Sequence, residues 1–390
     1  MRLLSIALTD YRSWQAFHAD FESGRTLLLG RNGAGKTNVV EAIGMVSTLG
    51  SHRTTETKAL IRTGCEQAAI SAKVERDGRS VTIDLALTAG KPVSASINAN
   101  KVSRARDILG YAPTVLFCPE DLDLIRRDPA VRRAFVDELL VARYPRFAAV
   151  LAEFSRILKQ RGTLLKSANG GKTSQSRSSI ESTLDAWDEQ LVAVASRVLL
   201  GRLDTLRALQ PYVIARHGQI ADSGKQAEVL YSAYNRNVAE LLAGAITPLG
   251  IPEITNEQAA HAYSADLHKR RDDELRRGVC LVGPQRDDIA VMLGEDPAKG
   301  YASHGETWST ALALKLACFD VMRDTHREDP VLLLDDVFAE LDEIRRQRLA
   351  DAVADVEQVI ITAAVAADVP SQLGGLVIEI DRDSGGVHHG

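Results

Sequence analysis

The chain is 390 residues long, 45% hydrophobic and 25% charged, with a formal net charge of −5 at pH 7. This is a globular profile, long enough for two or more lobes, with no bulk attraction for nucleic acid, so any DNA contact needs a local basic surface. Cys65, Cys118, Cys280 and Cys318 lack C-x-x-C pairing, no 18-residue apolar run exists, and Met1 to Phe21 has no signal-peptide core; no zinc module, membrane helix or export signal is expected, and a cytoplasmic protein with reduced thiols is predicted.

Leu4, Ile6 and Leu8 alternate with smaller or polar residues and predict an opening strand. Thr9 to Trp14 reads as a turn, and a second strand, with the apolar run Thr26 to Leu29, leads into Gly30-Arg31-Asn32-Gly33-Ala34-Gly35-Lys36-Thr37. This stretch is G-x-x-x-x-G-K-[ST], the phosphate-binding loop pattern. Val39, Ala42, Ile43, Val46 and Leu49 follow at helical spacing, so the flanks are those a nucleotide site demands. The glycines let backbone N–H groups close around phosphate oxygens at a helix N-terminus. Lys36 would reach the β- and γ-phosphates of ATP, and the Thr37 hydroxyl would ligate Mg²⁺.

Ser51 to Thr54 is a polar, basic connector, in which Arg53 is either a solvated loop arginine or a second phosphate contact. From Gln67 to Asn100 alternating runs separated by Asp77-Gly78 and Ala89-Gly90 predict an antiparallel meander. Thr114 to Phe117 is a short buried strand, ended by Cys118-Pro119-Glu120-Asp121.

The period then becomes helical from Asp128 to Ala208. Two amphipathic stretches flank the polar segment Ser167 to Ser179 and predict an antiparallel hairpin, each arm about 20 residues and roughly 30 Å long. Tyr212 to Pro252 is mixed. Thr255 and Gln258 form a capping box for a helix that runs to about Arg277 and stops at Gly278. The basic residues at its end are either a solvated face or a nucleic-acid contact. Cys280 to Pro284 returns to β character, followed by a strand at Ile289 to Leu293. Asp381 to Gly390 reads as a frayed tail.

A phosphate loop needs a second acid for its metal, and Val331-Leu332-Leu333-Leu334 followed by Asp335-Asp336 supplies it at the carboxyl end of a strand. Asp335 would bind Mg²⁺, and Asp336 is placed to orient or deprotonate an attacking water. Ser303-x-Gly305-Glu306 ahead of an apolar helix resembles the signature motif of ABC-type ATPases. Leu332 to Asp336 followed by Ala339-Glu340-Leu341-Asp342 resembles their Walker B and D-loop pair. More narrowly, the chain resembles the RecF family, related to the SMC and Rad50 heads. The matching stretches, Leu8–Trp14, Gly30–Glu41, Ser51–Thr54, Phe117–Leu122, Arg276–Asp288, Tyr301–Ala317 and Leu332–Asp342, run in the family's order across nearly the whole chain.

The resemblance implies an α/β ABC/SMC-like ATPase head, a phosphate-loop sheet plus an antiparallel β lobe, with an inserted helical arm. Residues 1–122 and 279–390 would form the head and 123–278 the arm. It implies ATP and Mg²⁺ as cofactors and an ATP-dependent homodimer. Ser303 and Gly305 would contact the γ-phosphate held by the partner chain, and Asp342 would sit at the dimer seam. It also implies weak, DNA-stimulated ATP hydrolysis and binding to duplex DNA near single-strand gaps or junctions, with RecR as a partner in recombinase loading. Charge alone marks Arg126, Arg127, Arg132, Arg133, Lys159, Arg161 and Arg270 as candidate DNA contacts. The chain departs from the family's Ser-Gln-Gly-Gln-Gln-Arg signature at His304, Glu306, Thr307 and Trp308. It carries Asp336 where ABC proteins have Glu, and shows neither a switch histidine after Ile361-Thr362 nor a Q-loop glutamine. The rival readings are the ATPase subunit of a membrane transporter and a nucleotide-gated DNA clamp without useful turnover.

Overall fold

The structure is a computed structural model that describes residues 1–76, 78–169, 177–221, 224–381 and 386–389. Asp77 of the first meander turn, residues 170–176 of the polar segment, and residues 382–385 and 390 of the tail lie outside the described residues. The chain packs as two compact units. Met1–Leu122, Ala215–Gly224 and Ser303–Gly390 make the first; Asp123–Ile214 and Lys225–Ala302 make the second.

In the first unit, β1 (Arg2–Tyr11) pairs antiparallel with β2 (Trp14–Asp20). Strand β3 (Gly24–Leu29) runs into the glycine loop, which opens α1 (Lys36–Thr48). After a single helical turn, α2 (Thr57–Leu60), the meander follows as β4 (Gln67–Arg76), β5 (Arg79–Thr88), β6 (Ser94–Ile97) and β7 (Asn100–Lys101). Strand β4 pairs with the free edge of β1, giving the antiparallel order β2-β1-β4-β5-β6-β7. Strand β8 (Thr114–Phe117) belongs to the other sheet of this unit.

The second unit is mainly helical: α3 (Asp123–Arg126), α4 (Pro129–Arg143), α5 (Phe147–Asn169) and α6 (Arg177–Ile220), whose residues from Ala215 onward belong to the first unit. The last two are antiparallel. Phe147 packs on Gly201, Arg161 bonds Asp188, and Leu165 clusters with Ile180 and Leu184. The second arm is 44 residues rather than about 20, and passes through Pro211 without stopping. An interior proline costs roughly 3 kcal/mol, which tertiary bonds on either side offset. Gln210 accepts the Val229 N–H at 2.8 Å, and Arg216 grips Asp320 with two bonds of 2.6 Å. Strand β9 (Ala227–Ser232), α7 (Arg236–Ala243) and α8 (Asn256–Arg277) follow. Helix α8 starts at the Thr255–Gln258 capping box and ends at Gly278, whose φ of 66° is the left-handed conformation glycine tolerates.

Cys280–Pro284 is not a strand. Asn235 bonds both the Leu281 carbonyl (3.1 Å) and the Gly283 N–H (3.0 Å), so a side chain satisfies the backbone groups that a neighbouring strand would have paired. Strand β10 (Asp288–Leu293) pairs with β9 and with β11 (Asp296–Pro297), and the helical turn α9 (Ala298–Tyr301) completes the unit. This pairing keeps the chain in the second unit to Ala302, beyond the boundary at residue 279 expected from sequence.

Back in the first unit come α10 (His304–His326), β12 (Val331–Leu334), α11 (Glu343–Ala352), β13 (Gln358–Ala363), β14 (Leu376–Asp381) and β15 (Gly386–His389). Residues 386–389 pair antiparallel with β14 instead of fraying. The second sheet has the order β15-β14-β3-β13-β12-β8, parallel except for β15. Every residue of β12 and β13 is buried, as parallel strands covered on both faces require. Helix α1 buries Val39, Val40, Ala42, Ile43, Met45 and Val46 in one core shared with residues of β1, β4, β5, β12 and β13. A helix apolar on most of its faces needs such a position.

Candidate functional site

The parallel sheet puts three loops side by side at the carboxyl ends of β3, β13 and β12. The glycine loop leaves β3, Thr362 lies near the end of β13, and Asp335 leaves β12. This is where ligands gather on an open α/β sheet.

Within the loop, two glycines are irreplaceable for different reasons. A Cβ on Gly30 would lie 2.4 Å from the Ile380 carbonyl oxygen. Gly35 has φ 110°, and its Cβ would meet the Trp14 ring at 2.8 Å. Trp14 also donates its indole N–H to the Gly35 carbonyl at 3.3 Å, so a residue read from sequence only as part of a turn braces the loop. Lys36 is 3% exposed, and its ammonium donates to the carbonyls of Gly30 (2.7 Å) and Arg31 (3.4 Å). These oxygens hold the charge where phosphate oxygens would compete for it.

Thr37 Oγ1 lies 3.2 Å from Asp335 Oδ1, although 298 residues separate them in sequence. A hydroxyl and a carboxylate so close are hard oxygen donors of the kind Mg²⁺ takes, with phosphate oxygens and water completing its shell. The residues present therefore fit that ion. Asp335 is 3% exposed, and burial pushes its carboxyl up to about 6, against the hydrogen bonds from Thr362 and Thr37. Asp336 follows with φ 50°, a left-handed conformation rare outside glycine.

The buried Asp335 charge has a consequence for stability. The folded carboxyl holds its proton more tightly than an unfolded one of about 3.8, so folding loses free energy as pH rises through about 6. The difference is on the order of 1–3 kcal/mol. Nucleotide-free Asp335→Asn should therefore unfold at higher urea than wild type at pH 8, with the gain shrinking toward pH 5. An equal gain at both pH values would show that the charge is not the cause.

Glu41 of α1 is fully buried. Burial opposes its charge, but two bonds from Arg12 (2.8 and 2.5 Å) and one from Ser51 hold its carboxyl below the usual range. Arg53 stands 3.8 Å from Glu41 and donates to Asn38 at 3.1 Å, next to Thr37 in sequence and 37% exposed. It is therefore tethered to the start of α1 yet open to solvent.

Ser303 caps α10: its hydroxyl accepts the Glu306 N–H at 3.2 Å, and Glu306 accepts the Ser303 N–H at 2.9 Å. Gly305 lies under the Arg345 guanidinium, where a Cβ would come within 2.5 Å of Nη2. Arg345 also donates to Ser309 at 3.2 Å and pairs with Asp342, which caps α11 through the Arg345 N–H at 2.9 Å. Arg345, a residue sequence reading passed over, thus links Asp342 to the first turns of α10, where it covers Gly305 and bonds Ser309, while Ser303 caps the same helix through Glu306. Trp308 is not part of it. It is 2% exposed and packs edge-on against Phe117, with centroids 5.8 Å apart.

The candidate DNA contacts divide. Arg161 is fully buried between Asp188 and Glu274, and Arg132 is 5% exposed with two 2.9 Å bonds to Asp288, so neither is a surface cation. Arg133 is half-buried and donates to the Asp287 carbonyl at 2.6 Å. Arg126, Arg127, Lys159 and Arg270 are exposed, with Arg127 paired to Asp123 and Arg270 to Asp273.

Residues 2–372 match the family described as RecF/RecN/SMC N terminal domain. The DNA replication and repair protein RecF of Kineococcus radiotolerans is 47% identical over 379 residues, covering 96% of each chain. The chain belongs to the RecF family. The RecF of Streptomyces avermitilis is 46% identical over 375 residues, again covering 96% of each chain. Among solved structures, the recombination mediator protein RecF with an ATP analogue, in the RecFOR pathway, superposes with a TM-score of 0.85 at 25% identity, covering 100% of this chain and 98% of that one. The Smc head of Pyrococcus furiosus, at 17% identity and a TM-score of 0.53, shares the fold over 99% of this chain and 94% of its own. The architecture is that of an ABC/SMC-like ATPase head with a helical arm, and RecF membership sets aside the transporter reading.

Proposed function

We propose that this chain is an ATP-dependent DNA-binding protein of replication-associated repair, in which ATP acts as a latch between two copies. The observation that carries this reading is that Thr37, next to Lys36 at the start of α1, lies 3.2 Å from Asp335 at the carboxyl end of β12. Gly30 to Thr37 would wrap the phosphates with backbone N–H groups, and Lys36 would exchange its carbonyl partners for β- and γ-phosphate oxygens. Thr37 and Asp335 would hold Mg²⁺, which when bound neutralises phosphate charge. Asp336 would orient the attacking water, and its short side chain fits slow hydrolysis. Arg53 would add a second phosphate contact.

Ser303, Gly305 and Asp342 would present the start of α10 to the nucleotide held by the other copy, whose phosphate suits a helix N-terminus. On this reading Ser303→Arg binds ATP as wild type does but stays monomeric. Light scattering with and without ATP checks this, and equal ATP-driven dimerisation would count against the shared site. The relatives' replication and repair role, and the RecFOR pathway of the solved RecF, support a DNA substrate in repair; duplex DNA near single-strand gaps, with RecR as the partner in recombinase loading, is the specific form this reading takes. Arg126, Arg127, Lys159 and Arg270 are the remaining phosphate contacts of this reading.

The deciding experiment measures ATP-driven dimerisation and ATP hydrolysis, with gapped and blunt duplexes, in wild type and Asp336→Asn. DNA-stimulated hydrolysis lost in Asp336→Asn, with dimerisation kept, is expected. Dimerisation without any hydrolysis in wild type would instead identify a clamp that does not turn over.

A further inference from the structure

We propose that Thr362 is a positioning residue of the nucleotide site, its single hydroxyl tying the Asp335 carboxylate to the Asp336 backbone. The inference rests on the ATP reading above and deepens it. Parallel pairing sets Ile361 opposite Leu334, which brings the next residues on each strand, Thr362 and Asp335, together. Thr362 is fully buried. Its Oγ1 lies 2.7 Å from Asp335 Oδ1, 2.9 Å from the Asp336 backbone nitrogen and 3.4 Å from Asp336 Oδ1. A hydroxyl has one proton to give, and the shortest acceptor takes it. Thr362 therefore donates to Asp335 and accepts the Asp336 N–H.

Both bonds bear on the chemistry assigned to the two acids. The first fixes the Asp335 oxygen that also faces Thr37 at 3.2 Å. The second holds Asp336 at φ 50°, a backbone state that a residue with a side chain keeps only where its surroundings impose it. The direction of the Asp336 carboxylate follows from that peptide. Thr362 needs no contact with the phosphates to act, because it works through the two acids. Its loss should spare metal-free ATP binding, which belongs to the glycine loop and Lys36, and impair the metal requirement and turnover.

The test compares full-length wild type, Thr362→Val and Thr362→Ser. Valine keeps the branched shape without the hydroxyl, and serine keeps the hydroxyl. Three quantities are read: binding of a fluorescent ATP analogue without metal, the Mg²⁺ concentration that half-maximally enhances that binding, and kcat and KM for ATP with gapped duplex present. Thermal unfolding of the nucleotide-free proteins is run alongside. Thr362→Val should bind metal-free analogue within about twofold of wild type and need roughly tenfold more Mg²⁺. It should lose on the order of ten- to a hundredfold in kcat with KM little changed. Thr362→Ser should return both to near wild type. The proposal is overturned if Thr362→Val matches wild type in Mg²⁺ demand and kcat. It is equally overturned if serine is as impaired as valine, or if metal-free binding and thermal stability fall together. A wild type that binds no ATP would instead overturn the nucleotide reading itself, and the Mg²⁺ titration decides the role of Thr362 even where turnover is absent.

Discussion

Lys36→Ala is expected to lose roughly a hundredfold in ATP affinity, near 3 kcal/mol, the upper end for a hydrogen bond between charged groups. The fold should survive. Lys36 is buried rather than a surface-loop charge, but among the described residues its ammonium bonds the Gly30 and Arg31 carbonyls and no carboxylate. Alanine therefore removes a buried cation without stranding a carboxylate, and the unfolding midpoint should hold or rise slightly. ATP-dependent DNA binding should vanish with the affinity. Titration calorimetry with ATP and a urea melt of the same preparation check both halves. Unchanged affinity would refute the glycine loop as a nucleotide site.

Glu274→Gln is expected to produce the largest loss of stability in the second unit, about 3–5 kcal/mol. Arg161 and Glu274 are each fully buried and joined by bonds of 2.9 and 2.5 Å, and Arg161 also reaches Asp188 at 2.7 Å. Arg271 completes the network through Asp188 at 2.8 Å, and Glu274 also accepts the Leu281 N–H at 2.6 Å. Removing one charge leaves its partner in a medium that cannot solvate it, which costs more than the intact pair contributes. Arg161→Met combined with Glu274→Leu should recover much of the loss, since Asp188 keeps Arg271. A double-mutant cycle by urea unfolding measures this coupling. Additive losses would mean that the two groups do not interact across α5 and α8. The same pair explains why positive charge in the sequence was a poor guide to DNA contacts: a guanidinium joining three helices and one reaching into solvent are spelled alike.

What was readable in the sequence was local. The glycine loop, the Thr255–Gln258 capping box, the Gly278 stop and the apolar run before Asp335 each depend on residues a few positions apart. Periodicity predicted the meander and the helical hairpin because burial on one face imposes it. The length of α6 was not readable, because Pro211 signals a stop and the bonds that override it come from Val229 and Asp320. Cys280–Pro284 carried strand composition, but a side chain from Asn235 took the place of a strand.

By itself, then, the sequence determined that a nucleotide-binding loop, an acid-ended strand and a helix capped at Thr255 and Gln258 exist in one chain, since each is a short-range pattern of backbone geometry and burial. Only the tertiary structure decided that Thr37 and Asp335 meet, that Trp14 braces Gly35, that Arg345 covers Gly305, and that one threonine hydroxyl joins the two acids. The reason is physical: a lone threonine, tryptophan or arginine has no period to reveal its partner, and strand order and register alone bring these groups within bonding distance.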